Sequence, residues 1–112
     1  EVMASVLGSG NMEMNGGSSD KVSVALVGSG GMTVVGSCKQ FKADQTGSGD
    51  LDGEHLAADA TTLNLRGSGT AVVQALETVE VTLRGSGDVN VIGNPAARTV
   101  NKTGSGDVNF QD

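Results

Sequence analysis

Asp50, Asp52 and Glu54 stand at alternate positions of this 112-residue chain and are its first candidates for chemistry. Alternate side chains share one face of an extended strand, and paired carboxylates on one face can act as general acid and general base in polysaccharide cleavage. Asp88 and Asp107, each directly after a Gly-Ser-Gly triplet as Asp50 is, extend the same outward column. The chain has no Trp or Tyr and only two Phe, so no aromatic platform accompanies these acids. The neighbouring column positions carry Gly31, Thr33, Thr70 and Val72 rather than a basic group. The five acids therefore read as a solvated face; they stay surface-site candidates, and no catalytic residue is assigned.

Other reactive residue types lack partners. Calcium-binding β-rolls repeat about every nine residues with Asp in each turn, whereas here the period is about twice that and Asp alternates with Asn, Gly and Thr. No structural metal is expected. His55 is the only histidine, with Glu54 beside it and no second His to complete a metal or catalytic set, and it reads as an exposed residue of a return segment. Cys38 is the only cysteine, which excludes an internal disulfide and leaves a small, semi-buried side chain. Arg66 and Arg84 each precede a triplet, so adjacent coils should place them side by side; like charges so placed repel unless an acid or a ligand anion sits nearby. No cofactor is expected.

What positions these residues is a repeat. Gly-Ser-Gly occurs six times, as Gly8-Ser9-Gly10, Gly28-Ser29-Gly30, Gly47-Ser48-Gly49, Gly67-Ser68-Gly69, Gly85-Ser86-Gly87 and Gly104-Ser105-Gly106, at spacings of 20, 19, 20, 18 and 19 residues. The second residue after each triplet reads Met12, Met32, Leu51, Ala71, Val89, Val108, and the fourth reads Met14, Val34, Gly53, Val73, Val91, Phe110. The positions between are mostly polar. This period-two alternation marks a strand with one buried face. Upstream, Ala4, Val24, Ala43, Leu63, Val81, Val100 form one inner column, and Val6, Leu26, Gln45, Leu65, Leu83, Lys102 a second. Gln45 and Lys102 interrupt the latter and read as local tilts near a less buried rim.

Each unit is thus strand, Gly-Ser-Gly corner, strand and a variable return, such as residues 36–40 or 93–97. The expected fold is all-β: a single-stranded, right-handed parallel β-helix of about six coils, about 19 residues per coil, forming one domain over residues 1–112. Corner glycines suit positive φ, which costs a residue with a Cβ about 1–2 kcal/mol. The serines between them have no base at hand and read as an architectural column. Thirteen acids against seven bases, net charge −6, exclude a nucleic-acid surface. No apolar run approaches the roughly 20 residues of a membrane span. The first and last coils leave open strand edges, through which self-association is expected.

The segments Gly85-Ser86-Gly87-Asp88-Val89-Asn90-Val91 and Gly104-Ser105-Gly106-Asp107-Val108-Asn109-Phe110 resemble the bacterial auto-transporter adhesin head GIN domain family. Gly47-Ser48-Gly49-Asp50-Leu51-Asp52 and Val81-Thr82-Leu83-Arg84 fit as well, and the resemblance runs over nearly the whole chain. It implies a right-handed β-helix from an exported protein of the periplasm, outer membrane or cell surface, with a structural or adhesive role and a cell-surface or glycan ligand. The chain departs from the family pattern by starting directly inside a repeat and by having Asp after three of its six triplets, which reads as a fragment or a short member. Two alternatives remain: a polysaccharide-acting enzyme using the acidic cluster, and an end-to-end polymerising scaffold.

Overall fold

Alternating apolar residues interrupted by glycine corners produce only parallel strands in the computed structural model, which describes residues 2–93 and 95–111. In chain order the strands are β1 (Val2–Leu7), β2 (Met12–Val27), β3 (Gly31–Thr46), β4 (Asp50–Gly53), β5 (Leu56–Arg66), β6 (Thr70–Gln74), β7 (Thr78–Arg84), β8 (Asp88–Ile92), β9 (Ala97–Thr103) and β10 (Asp107–Gln111). They form a parallel β-solenoid of about six turns. One stack joins β1, the later halves of β2 and β3, then β5, β7 and β9. The other joins the earlier halves of β2 and β3, then β4, β6, β8 and β10.

Register follows the triplets. Met12 pairs with Met32, Met32 with Leu51, Leu51 with Ala71, Ala71 with Val89 and Val89 with Val108, so the column read from the sequence is a physical one. The upstream column Ala4, Val24, Ala43, Leu63, Val81, Val100 stacks the same way. The core is the interior between the two stacks, where Val34, Leu63, Leu65, Val73, Val81, Leu83 and Val91 have no solvent exposure. In the first three coils the return is strand rather than loop: Ser19 pairs with Cys38 and Cys38 with Ala58. Differences in length are absorbed locally, the shift between the first two coils falling between Asn15 and Ser18. Of the return at 93–97, Asn94 lies outside the described residues.

At the corners the backbone ladder continues without a break. The first glycine donates its N–H to the residue before the next triplet, as in Gly47 to the Arg66 carbonyl at 2.8 Å, and the third donates to the previous coil's first glycine, as in Gly69 to Gly47 at 3.2 Å. The glycines of a triplet are required for different reasons. First-position glycines have positive φ, +117° at Gly67, where residues with a Cβ are strained. Third-position glycines lie outside that region, and a Cβ on Gly69 would overlap the Gly49 carbonyl oxygen. The single reason expected from sequence, positive φ, thus holds for only half of them.

The reading of Gln45 as a tilt near a rim is corrected. It pairs in register with Leu26 and Leu65, and only 1% of its surface is exposed. Its amide fits because Nε2 donates to the carbonyl oxygens of Gly49 and Thr70, although Oε1 is buried without a partner. Lys102 likewise keeps register, with Leu83, and is exposed because it belongs to the last coil. A buried acceptor without a hydrogen bond costs about 1–3 kcal/mol, and leucine is what this column uses on both sides. Gln45→Leu should therefore raise the melting temperature by several degrees, about 4–8 °C per kcal/mol for a domain near this size. A lower melting temperature in calorimetry would show that the two donated bonds outweigh the orphaned oxygen.

Candidate functional site

Parallel stacking turns every outward position into a row of side chains one coil apart, about 4.8 Å. On the stack after the triplets, one row reads Asn11, Gly31, Asp50, Thr70, Asp88, Asp107, and the next begins Glu13, Thr33, Asp52. Gly31 has no side chain to fill the surface, and a shallow groove of about 500 Å³ opens there, lined by Asn11, Glu13, Asp50 and Asp52 among others. Its floor is ordered by Asn11, whose Oδ1 accepts the Gly31 N–H at 2.9 Å.

Two of the sequence candidates, Asp50 and Asp52, share this groove, together with Glu13, which the sequence reading passed over. The signal was available, since Glu13 and Asp52 both sit in register with Thr33. Glu54 does not continue the face. The chain turns after Gly53, and the Glu54 N–H donates to Asp52 Oδ1 at 3.2 Å. Asp88 and Asp107 are adjacent in register, but Thr70 separates them from Asp50. Asp107 also faces Lys102 Nζ at 3.9 Å. Among the described residues no group of three or more His, Cys, Asp or Glu side chains is placed to hold a metal ion.

The other residues singled out for chemistry stand apart from the groove. His55 is exposed in the turn between β4 and β5. The six corner serines all face solvent as a single ridge. Cys38 is buried and unpaired; burial, and then the Asp59 carboxylate, push its thiol above its ordinary range, so it stays neutral and unreactive near neutral pH. Arg66 and Arg84 lie directly opposite one another across β5 and β7, both exposed. None of these groups converges on another as a nucleophile and base would.

The two ends of the solenoid differ. At the first coil Met3, Leu7 and Met12 are 76%, 77% and 37% exposed, with Val27 of the second coil at 44%. At the last coil Arg98 and Lys102 stand in register with the inward-facing Val79 and Leu83, and Arg98 lies 4.7 Å above the Phe110 ring. Among the described residues no helix is long and apolar enough to cross a membrane.

Comparison with known proteins agrees with this architecture. No curated protein matches the chain. Among solved structures, a crystal structure described as a "putative adhesin" from Bacteroides fragilis superposes with a TM-score of 0.86 at 21% identity, over 95% of this chain and 53% of that one. The chain thus spans about half the length of that relative, and at this identity the likeness is one of fold. Residues 1–95 match the sequence family described as "Putative auto-transporter adhesin, head GIN domain". With that match covering most of its length, the chain belongs to the auto-transporter adhesin head GIN domain family.

Proposed function

We propose that this chain is an exported, non-catalytic module of the bacterial envelope that displays its outward rows for adhesive contact with a cell-surface or glycan ligand. Membership of the head GIN family supports the setting, and the adhesin description of the Bacteroides relative supports the role. The observation that carries the reading is the ordering of the outer faces. Side chains are held in register from coil to coil, as in the Asn64 Nδ2 bond to Asp44 Oδ1 at 2.9 Å and the Asn109 Nδ2 bond to Asn90 Oδ1 at 3.3 Å. Such rows offer repeated hydrogen-bonding groups to a repeating polymer and assemble no acid, base and nucleophile at one point.

A panel of bacterial glycans and intact cells tests the proposal. Saturable binding without cleavage is expected. Cleavage of any glycan, abolished by Asp50→Asn or Asp52→Asn, would replace it with the enzymatic reading.

End-to-end polymerisation is disfavoured by the chemistry of the ends. Stacking the last coil of one copy on the first coil of another would press Lys102 against Val6 and carry Arg98 into the inward column of Val22, Phe41 and Val79, and taking charged groups out of water costs several kcal/mol per ion. The 112-residue chain should therefore scatter light without forming filaments, and Arg98→Val with Lys102→Leu should promote association. Filaments of the unaltered chain would restore the scaffold reading.

A further inference from the structure

We infer that Arg66 and Arg84 form a two-pronged clamp for a carboxylate or phosphate group of an acidic glycan. This rests on the display reading and names the chemistry of its ligand. The pairing of β5 with β7 sets Arg66 opposite Arg84 in an outward row whose other members include Thr46 and Thr103. Like charges directly opposite on neighbouring strands are destabilising, and a chain with thirteen acids and a net charge of −6 has ample means to neutralise them. It does not do so here. The ion pair found among the described residues is Lys102 with Asp107, in the last coil. The acid closest in register to the pair, Asp44, is held by the Asn64 amide at 2.9 Å.

Geometry then selects the ligand. Each guanidinium presents a planar fork of donors suited to two oxygens of one group. Two forks one coil apart, about 4.8 Å, can bridge a single carboxylate or phosphate. Beside Arg66 lies a groove of about 380 Å³ bordered by Asp44, Thr46 and Asn64, whose amide, hydroxyl and carboxylate groups suit sugar hydroxyls. On the other side the corner serines Ser68 and Ser86 are exposed. Paired cations for the acid, flanked by uncharged and acidic hydrogen-bonding groups for the hydroxyls, match an acidic sugar better than a neutral one.

Titration calorimetry on the full chain separates the outcomes, with polygalacturonate supplying carboxylate, poly(glycerol phosphate) supplying phosphate, dextran as the neutral control and poly-L-glutamate as an acidic polypeptide. At least one of the two acidic polymers should bind, and dextran should not; whichever binds tighter identifies the anion. Arg66→Gln or Arg84→Gln should each weaken binding about tenfold, as expected for loss of a charge-assisted hydrogen bond, and Arg84→Lys should recover part of the loss. The melting temperature of either glutamine variant should hold or rise, because a repulsion has been removed. The clamp is overturned if the Arg66→Gln/Arg84→Gln protein binds undiminished, if dextran binds equally, or if lost binding tracks a fall in melting temperature; the display reading survives the first two results. Equal affinity for poly-L-glutamate overturns the glycan assignment. Failure of the unaltered chain to bind any polymer or any bacterial surface overturns the clamp and the display reading together.

Discussion

Replacing Gly69 by alanine should lower the melting temperature by roughly 10–20 °C, whereas the same change at Gly10 should shift it by no more than about 2 °C. Both are third glycines of their triplets, and neither has a positive φ. What differs is the coil behind them. A Cβ at Gly69 would run into the Gly49 carbonyl oxygen and approach Gln45 Nε2 at 2.6 Å, while at Gly10 it would meet nothing within 4 Å. Backbone that is hydrogen-bonded on both sides has little room to yield, so the overlap costs about 3 kcal/mol, at the upper end of overpacking. The first glycines complete the comparison. Gly8→Ala carries the φ penalty alone, φ being +99° with open space beyond, and should cost about 1–2 kcal/mol. Gly67→Ala adds to a similar φ a Cβ placed 2.5 Å from the Gly47 carbonyl oxygen, and should be the worst of the four. Equal losses at Gly10 and Gly69 in thermal melts would mean that local backbone preference, not the approach of neighbouring coils, dictates the triplet.

This division between corner and coil also explains how much could be read in advance. Strand columns were legible because both faces are tied to the same corner: the offset from Met12 to Met32 and that from Val24 to Ala43 each equal the spacing of the triplets they flank. The return was not, because Ser19, Cys38 and Ala58 form a third stacked row without alternation strong enough to betray a strand. Gln45 reads as a defect on polarity alone, whereas its length resembles that of leucine and the corner supplies carbonyl acceptors. For the acidic groove, Asp50 and Asp52 followed from alternation, Glu13 needed register between coils, and Glu54 was lost to a turn that Gly53 begins. Arg66 and Arg84 were found side by side as expected. What such a pair suits was not legible, since the repeated residues specify stacking and an outward side chain is free to vary without disturbing it.

Phe41→Ala should cost about 3–5 kcal/mol, as truncation of a fully buried aromatic does, and the reason is an exchange of volume that the columns alone conceal. Gly53 is the one glycine in an inward row otherwise made of Met14, Val34, Val73, Val91 and Phe110. It opens space for Phe41, whose ring edge lies 3.6 Å from where a Cβ on Gly53 would sit. Phe41 is 2% exposed and heads the large side chains of the core. Two coils further on, the corresponding positions are Val79 and Val91, both buried, so one coil holds a large and a small residue where another holds two of middle size. Phe41→Val should then leave a cavity, and Gly53→Val should overpack against the ring and against the Val72 carbonyl oxygen, 3.1 Å from the new Cβ. Together the two changes recreate the valine pair, and the double variant should be more stable than the sum of its parts by about 0.5–3 kcal/mol, the range for residues in contact. Additive losses in denaturant unfolding would show that Phe41 and Gly53 are accommodated separately and that the coil interior adjusts without trading volume across its width.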